Sequence, residues 1–380
     1  MDKVELFKKI DKIIGTPICF VLGVLDKMFF RKRISQHHWQ RILVIKLIAI
    51  GDLVVALPTI KALRKSFPEA YLTILVTPRV KQVVEGCPYL DRIIYYDILN
   101  TGIFGLFKII SLLRKEEFDV VLELDHYYRI TSLITFFAGI KNRVGFDLPG
   151  QGRRGLVTTK VPYLVQRHEV ETFLEAARVI GADISEKALV EIWVSEQDRE
   201  YVNRFLKKVG IMEQDLLIGI HPGTGPSAIS RRWAPEKFGK LADWLIKEKK
   251  AKVIFTGANS EMKLINESVK FMTSQPIIAA GKMNLKQFAN LCQRCKLFIS
   301  VDTGPLHIAA AMKTPVIGLY GPNTPLKWGP YGKQHITIYK NLPCSPCTKQ
   351  YLGQVSKCKN PKCMEEITVE EVMEAIEKMF

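Results

Sequence analysis

The segment Asp-Thr-Gly-Pro-Leu-His at residues 302–307 has the residue types that bind a phosphate group. An apolar run predicts a buried strand ending at Val301, and Pro305 is pre-organised for the first turn of a helix. Free N–H groups at a helix N-terminus bind phosphate, and the helix dipole strengthens the attraction. Gly304 lets a ligand approach the backbone, and His307 lies one turn into the helix. Considered alone, the segment is equally well explained as a helix cap.

A second glycine-rich turn, His-Pro-Gly-Thr-Gly-Pro at 221–226, follows the apolar run 216–220, and Arg231, Arg232 and Trp233 come soon after. Guanidinium groups match phosphate oxygens and keep their charge, so arginines beside such a turn favour a diphosphate site. Without the glycines, a solvated turn would be the better interpretation. The predicted ligand-binding residues are His221, Gly223, Thr224, Arg231, Arg232, Asp302, Thr303, Gly304, His307 and, from a Gly/Pro turn after the next strand, Gly321.

An acid follows the first apolar run of the chain. Residues 41–47 predict a buried strand, Gly51 opens a turn, and Asp52 lies at the start of the next helix. Aspartate is a routine cap at this position. Its place at the carboxyl end of a strand also makes Asp52 a candidate general base.

Strands and helices alternate through the rest of the sequence, which predicts an α/β fold with mostly parallel sheets. Two such series are separated near 185–195 and indicate two doubly wound, Rossmann-like domains, in which ligands bind at the carboxyl ends of the strands. The first series has strands at 41–47, 71–76, 92–96 and 119–124 and helices at 54–66 and 104–115. The second has strands at 216–220, 252–256, 276–279, 297–301 and 316–320 and helices at 196–209, 235–249, 260–272, 285–294, 305–312 and 368–379.

The N-terminal segment is apolar at 13–25 and is followed by the basic triplet Arg31–Arg33. The run is shorter than the ~20 residues that a membrane-spanning helix needs, and no cleavage signal follows it. It predicts an interfacial anchor on the cytoplasmic side of the membrane, with a helix packed on the globular body as the alternative. The predicted domains are an N-terminal extension at 1–39, an N-terminal domain at 40–190, a C-terminal domain at 191–366 and a closing helix at 367–380.

The 380-residue chain has a formal net charge of +17, from 55 Lys and Arg against 38 Asp and Glu. This excess favours an anionic partner: nucleic acid, an acidic membrane or a phosphorylated substrate. No common nucleic-acid-binding motif is present. The late cysteines Cys344, Cys347, Cys358 and Cys363 suggest a structural zinc site, with reduced thiols or a disulfide as the alternatives.

The motifs together resemble glycosyltransferase family 9, the heptosyltransferases. The resemblance lies in residues 41–60, in His221-Pro-Gly with Arg231-Arg-Trp, and in 302–311 with Leu319-Tyr-Gly-Pro, and it extends over roughly 40–375. It implies a GT-B fold with two domains facing a cleft, and an inverting, metal-independent transfer that requires no cofactor. It assigns Asp52 as base, Arg231 to the donor diphosphate, and the 302–307 segment to the nucleotide. Many relatives have Lys at the Arg231 position and Ser at the Leu306 position.

The resulting expectation is an enzyme, peripheral on the inner membrane face, that moves a heptose-type sugar from an ADP-heptose-like donor to a lipopolysaccharide core acceptor. Basic residues of the N-terminal half are candidates for binding this anionic acceptor: Arg129, Lys141, Arg143, Arg153, Arg154 and His168. The alternatives are a transferase with another sugar nucleotide and surface glycan, or a non-catalytic nucleotide-sugar-binding membrane protein. A nicotinamide-dependent dehydrogenase is disfavoured because neither half has Gly-x-Gly-x-x-Gly after its first strand.

Overall fold

A computed structural model describes residues 3–30 and 38–380. The predicted basic triplet Arg31–Arg33 lies outside these ranges. By internal contacts, the chain divides into two compact units, Met1–Lys187 with Tyr351–Gly353, and Ala188–Gln350 with Gln354–Phe380. Each unit contains its own six-stranded parallel sheet, as the alternating pattern predicts.

Unit 1 begins with a long helix and continues as a doubly wound sheet. Its strands pair in the order β3-β2-β1-β4-β5-β6. The elements are α1 (Lys3–Leu25), a π-helical turn (Asp26–Phe30), β1 (Arg41–Ile45), α2 (Ile50–Ser66), β2 (Tyr71–Val76), α3 (Lys81–Val84), β3 (Arg92–Tyr95), α4 (Gly102–Lys115), β4 (Val120–Glu123), α5 (Arg129–Phe137), β5 (Asn142–Asp147), β6 (Thr159–Pro162) and α6 (Glu169–Arg178).

Unit 2 repeats the same architecture, with strands in the order β12-β11-β10-β7-β8-β9. Its elements are α7 (Glu196–Lys208), β7 (Leu217–His221), α8 (Pro235–Lys247), β8 (Lys252–Phe255), α9 (Met262–Val269), β9 (Ile277–Ile278), α10 (Leu285–Arg294), β10 (Leu297–Val301), α11 (Gly304–Ala311), β11 (Val316–Tyr320), α12 (Pro325–Trp328), β12 (Ile336–Tyr339), α13 (Lys362–Glu365) and α14 (Val369–Glu377).

The core strands of both sheets are buried on both faces. β1, β4, β10 and β11 are apolar along almost their whole length because helices cover each side of a doubly wound sheet. The closing helix α14 is part of unit 2, since Val372 and Ile376 join the central cluster of buried side chains in that unit.

Several elements of unit 1 differ from the sequence prediction. α2 begins at Ile50, so Gly51 and Asp52 lie inside its first turn. The chain turns at Ala49 instead, whose φ of 78° lies in the left-handed region that glycine usually occupies. The prediction also missed α5, β5, β6 and α6; in β5, the charged Arg143 interrupts the apolar pattern although that side chain is buried.

Within unit 1, the N-terminal helix α1 packs against α5 and against the short 3-10 helix Arg153–Gly155. This contact is the alternative that the sequence left open. Within the described ranges, no helix is both long enough and apolar enough to cross a membrane.

Candidate functional site

Unit 1 places polar side chains at the switch point of its sheet. β1 lies between β2 and β4, so the chain leaves β1 in one direction and β4 in the other. Loops diverge at such a point and leave a crevice at the carboxyl ends of the two strands, where ligands bind in doubly wound folds. The residues that follow β1 and β4 here are Lys46, Asp52 and Asp125.

These three residues form one ion-paired network. Lys46 Nζ lies 2.8 Å from Asp125 Oδ1 and 3.2 Å from Asp52 Oδ2. The backbone N–H of Leu47 donates to Asp125 Oδ2 at 2.8 Å. Lys46 and Asp125 are buried, whereas 14% of the Asp52 side chain remains exposed. Asp52 is therefore the member of the network that a substrate can reach.

The surroundings set the pKa of Asp52 by two opposed effects. Burial raises the pKa above its usual value, and the adjacent Lys46 ammonium lowers it in part. Burial disfavours the charged form of Lys46, but the Asp125 and Asp52 carboxylates raise its pKa above the usual value. Lys46 is thus a fixed cation, and Asp52 is a stronger base than a solvated aspartate.

A second polar cluster lies next to this network. The His126 ring stacks on Phe173 with centroids 5.4 Å apart, and its Nε2 lies 3.2 Å from Glu169 Oε2. The Tyr163 hydroxyl donates to the other oxygen of Glu169 at 2.5 Å. Because both His126 and Glu169 act electrostatically on Asp52, this cluster belongs to the surroundings of that carboxylate.

Sequence reasoning identified Asp52 but missed Lys46, Asp125, His126 and Glu169. A signal existed for the first two: Lys46 breaks an apolar strand, and Asp125 comes directly after a predicted strand end. The pairing itself required knowing that β1 and β4 are neighbours.

Unit 2 has the equivalent switch point at β7 and β10, which are paired neighbours. His221 is the last residue of β7, and its Nδ1 lies 3.1 Å from Thr256 Oγ1. Burial lowers the pKa of His221 to about 4, so its imidazole is neutral at pH 7.

Two arginines after β7 are held by specific partners. Arg231 Nη1 lies 2.9 Å from Asp302 Oδ2, and the Asn323 side chain donates to the same carboxylate oxygen at 2.9 Å. Arg232 Nε donates to Thr224 Oγ1 at 3.1 Å. The sequence-predicted residues of the two turns therefore meet at one place, and each guanidinium group keeps further N–H donors for a ligand.

Trp233 fixes the arginine pair to the core. Its ring is almost completely buried, its Nε1 donates to Ile367 O at 2.9 Å, and it packs edge-to-face on Phe238. The position of Arg231 and Arg232 is therefore set by packing of the whole unit rather than by a free loop.

Helix α11 begins at the carboxyl end of β10. Thr303 is its N-cap residue, but its side chain makes no cap hydrogen bond. The first N–H groups of the helix are thus not satisfied by that hydroxyl. His307 is buried one turn further on, 6.2 Å from the Trp328 ring centroid.

Two other residues of this region have packing roles. Leu306 is fully buried, and a Cβ on Gly318 would lie 3.0 Å from its side chain. A Cβ on Gly321 would lie 2.5 Å from Met364 Sδ and 2.9 Å from Cys363 Sγ. Gly321, predicted to bind ligand, is therefore a close-packing glycine on the side that faces Met364.

Glu261 is a further residue that the sequence prediction missed. Its carboxylate accepts from the Ala258 N–H at 2.8 Å and lies 3.9 Å from His221 Nε2. A Cβ on Gly223 would displace the same carboxylate, which is the flexible end of the Glu261 side chain. Burial raises the pKa of Glu261, and Arg232 opposes the rise.

The residues predicted to bind the acceptor fall into two groups. Arg129, Arg143 and Arg153 are buried, and each contacts an interior carboxylate, Asp11, Asp26 or Glu123. An interior ion pair cannot be exchanged for a solvent-borne ligand without leaving a buried charge unpaired, so these three predictions are replaced by structural roles.

The other three predicted acceptor residues are exposed or half-buried. Lys141 is exposed, and Arg154 is exposed and paired with Asp147 at 2.6 Å. His168 is the N-cap of α6, where its Nδ1 accepts from the Val170 N–H at 3.2 Å.

Each of the eight cysteines, all within the described ranges, is a free thiol. Burial raises the pKa of Cys363 to about 11, and the neighbouring thiols of Cys347, Cys344 and Cys358 add to the rise. Even so, no three His, Cys, Asp or Glu side chains in residues 3–30 and 38–380 are grouped so as to hold a metal ion. The predicted zinc site does not fit this arrangement.

Comparison with known proteins connects these features to a family. The model of glycosyltransferase family 9 (heptosyltransferase) matches residues 106–355. The chain is 26% identical over 344 residues to the lipopolysaccharide core heptosyltransferase OpsX of Haemophilus influenzae, covering 88% of this chain and 96% of the relative.

Solved structures agree with this match. A glycosyl transferase family 9 protein from Veillonella parvula superposes with a TM-score of 0.77 at 26% identity, covering 91% of this chain and 98% of the other. The E. coli ADP-heptose lipopolysaccharide heptosyltransferase II superposes with a TM-score of 0.71 at 21% identity, covering 90% and 98%, and supports the fold alone. Because the family model spans more than half of the sequence, the chain is a glycosyltransferase that belongs to family 9, the heptosyltransferase family.

Proposed function

We propose that this glycosyltransferase moves a heptose from an ADP-heptose-type donor to a lipopolysaccharide core acceptor, with inversion at the anomeric carbon and without a metal ion. One relative named as a lipopolysaccharide core heptosyltransferase and another named as a lipopolysaccharide heptosyltransferase support the sugar and acceptor class. The observation that carries the proposal is the pair of switch points, with a reachable carboxylate in one unit and two arginines beside a helix N-terminus in the other.

In the proposed reaction, Asp52 is the general base. An acceptor hydroxyl oxygen attacks the anomeric carbon while its proton passes to an Asp52 carboxylate oxygen. The bond from the anomeric carbon to the diphosphate oxygen breaks, and ADP leaves with that electron pair. Attack from the face opposite the leaving group inverts the anomeric centre, so a single base is sufficient.

The donor diphosphate is proposed to bind in unit 2. Arg231 and Arg232 supply permanent positive charge against the charge that develops on the leaving ADP. The N–H groups at Thr303 and Gly304, at the start of α11, supply oriented dipoles for the same purpose. Because Asp302 holds Arg231 and Thr224 holds Arg232, the two guanidinium groups need no reorganisation as the bond breaks.

Several other residues have supporting roles in this proposal. His221 and His307 are buried side chains proposed to lie beside the donor, near the carboxyl ends of β7 and β10. Gly223 and Thr224 belong to the turn that follows β7. Lys141, Arg154 and His168 remain candidates for the anionic acceptor. The proposed domains are an acceptor domain at 40–190 and a donor domain at 191–366.

The place of action is proposed to be the inner face of the cytoplasmic membrane, because a lipid-linked acceptor is held there and because the chain is strongly basic. The protein would bind this surface peripherally.

Substitution of Asp52 by Asn tests the base assignment. The amide keeps the shape of the carboxylate but cannot accept the proton, so we expect kcat to fall by about 10²–10⁴-fold. ADP release from ADP-heptose with a heptose-free core acceptor measures turnover, and calorimetric titration with ADP measures donor-site integrity.

Retained ADP affinity with lost turnover supports the proposal, and unchanged turnover in Asp52→Asn contradicts it. Wild-type release from a UDP- or GDP-sugar, but not from ADP-heptose, would indicate a transferase for another glycan. ADP-sugar binding without release under any condition would indicate a non-catalytic binding protein.

A further inference from the structure

The helix α1 is packed on unit 1 by its small and charged side, not by its apolar side. The residues that face inward recur every three or four positions and are Asp11, Gly15, Cys19, Gly23 and Asp26, the last just beyond the helix. An amphipathic helix in water normally buries its apolar stripe and exposes its charges. Here the arrangement is reversed.

Two buried carboxylates attach α1 to the rest of unit 1, Asp11 within the helix and Asp26 just beyond its C-terminal end. Asp11 accepts hydrogen bonds from the N–H groups of Arg129 and Ile130 at 2.8–3.0 Å and so caps helix α5. Asp26 lies 2.7 Å from Arg143 Nη2, with both side chains buried. These contacts fix the rotation of α1 about its own axis.

Glycines allow the helix to approach closely between these two contacts. A Cβ on Gly15 would lie 2.8 Å from the Cβ of Arg129, and one on Gly23 would lie 2.7 Å from the Cα of Gly155. The inward face of α1 therefore fits closely against the rest of unit 1. The exposure of the opposite face does not result from loose packing.

The outward face of α1 is apolar along its length. A helix of 23 residues is about 35 Å long. Ile13 is 72% exposed and Phe20 is 66% exposed. The exposed apolar side chains of this segment are Leu6, Ile10, Ile13, Ile14, Ile18, Phe20, Val21, Val24, Leu25 and Met28.

Helix α4 adds a second exposed apolar group. Phe104 is 86% exposed, and Ile103 and Phe107 are also exposed. α4 and α1 both pack on α5, and Phe7 of α1 joins the same cluster of apolar side chains as Leu106 of α4. The exposed apolar residues of α1 and those of α4 therefore both lie beside α5 in unit 1.

Positive charge accompanies both groups. Lys9, Lys12 and Lys27 are exposed on the N-terminal segment, whereas Asp11 and Asp26 are buried. α4 carries Lys108, Arg114 and Lys115 and no acidic residue.

We propose that the outward side chains of α1 and the exposed side chains of α4 form one docking surface for an anionic lipid bilayer, with α1 lying in the plane of the interface. We call this surface, made of the exposed apolar residues of 6–28 and 103–107, the α1–α4 surface. The inference deepens the peripheral membrane binding of the proposed function, on which it rests, by assigning the residues that enter the lipid.

Charge and shape favour a bilayer over a protein partner. Apolar side chains edged by lysines match acyl chains beneath anionic headgroups, which is the arrangement of interfacial helices. The continuous length of the apolar face suits a planar surface. A second copy of this chain would bring the same cations against one another, which is unfavourable.

Binding to vesicles by flotation tests the surface with full-length protein. The probes are phosphatidylglycerol/phosphatidylethanolamine vesicles and phosphatidylcholine vesicles. We expect the wild type to bind the anionic vesicles. The affinity should fall about tenfold or more in Ile13→Glu/Phe20→Glu and in Phe104→Glu/Phe107→Glu, because each apolar side chain that enters the lipid contributes strongly to the free energy of binding.

The matched control is Met212→Glu/Phe271→Glu, which adds the same negative charge at two exposed apolar residues of unit 2. This variant should bind vesicles like the wild type apart from a small electrostatic loss. Equal binding by all variants, or an equal loss in all three, overturns the proposal.

Two further measurements separate the other outcomes. A concentration-dependent dimer that the α1 and α4 variants abolish, with no vesicle binding by the wild type, would assign the surface to a second copy and overturn the lipid assignment. ADP affinity should be unchanged in every variant. Wild-type vesicle binding without ADP release from any sugar nucleotide would leave the surface intact and refute the proposed transfer reaction instead.

Discussion

At the residue scale, the central feature is a buried lysine shared by two carboxylates. Lys46 is almost fully buried and lies within 3.2 Å of both Asp125 and Asp52. Of the two acids, Asp125 is buried and also accepts the Leu47 N–H, so it anchors the lysine, whereas Asp52 is partly exposed. We therefore expect Lys46 to act as a positioning residue that holds Asp52 and limits how far its pKa rises.

Opposite shifts in the pH profile test this role. In the proposed reaction only ionised Asp52 accepts the proton, so we expect turnover to rise as pH increases through its pKa. Lys46→Met removes the cation that lowers this pKa, and the acid limb of kcat/KM should move about one to two pH units higher. Asp125→Asn removes a competing negative charge, and the limb should move lower.

The measurement is kcat/KM across the acid limb, from about pH 5 to 8. Lys46→Met/Asp125→Asn avoids leaving a buried charge unpaired and serves as the folding control. A purely structural role would lower activity equally at every pH, with the limb unmoved in both single variants.

Sequence reasoning at this scale located groups but not pairs. Asp52, Arg231 and Asp302 were predicted because each follows an apolar strand, where parallel sheets collect functional residues. The Lys46–Asp125 contact depends on β1 lying beside β4, which are separated along the chain by β2 and β3. Strand order is a long-range property, and local pattern does not determine it.

At the scale of elements, α1 shows how a correct pattern leaves the orientation of a helix open. The apolar run at 13–25 predicted an amphipathic or interfacial segment, and the structure describes a helix there. Which face would be buried could not be read from the run, because the inward face is chosen by Asp11, Gly15 and Gly23 matching groups on α5 and at Gly155.

A stability measurement tests the packing of α1. Gly23→Val places a side chain where a Cβ alone would lie 2.7 Å from the Gly155 backbone, so we expect a loss of about 1–3 kcal/mol from overpacking. The small gain in helix propensity, a few tenths of a kcal/mol, does not offset this. Urea unfolding followed by circular dichroism measures the change.

Val24→Ala is the control on the exposed face of the same helix, and it should change the free energy of unfolding by at most about 0.5 kcal/mol. If Gly23→Val were as stable as the control, the close contact between α1 and Gly155 would not exist in solution.

At the scale of the whole molecule, two units of the same topology carry different chemistry. Numbered within each unit, both sheets have the strand order 3-2-1-4-5-6, and both place their polar residues after the first and fourth strands. Unit 1 supplies a carboxylate at this point, and unit 2 supplies arginines and a helix N-terminus. The proposed function assigns the acceptor's proton to the first and the donor's diphosphate to the second.

Hydrogen exchange with bound ADP tests this division. Because phosphate oxygens accept hydrogen bonds from backbone N–H groups, ADP should slow amide exchange in unit 2 at the turn 221–233 and at 302–307. The segments 46–53 and 124–126 of unit 1 should exchange as in the free protein.

Arg231→Met is the control, in which protection at a fixed ADP concentration should weaken because a charge-assisted contact is lost. Protection by ADP alone at 46–53, with none at 302–307, would reverse the assignment of donor and acceptor to the two units, because a nucleotide diphosphate protects the amides that contact its phosphates.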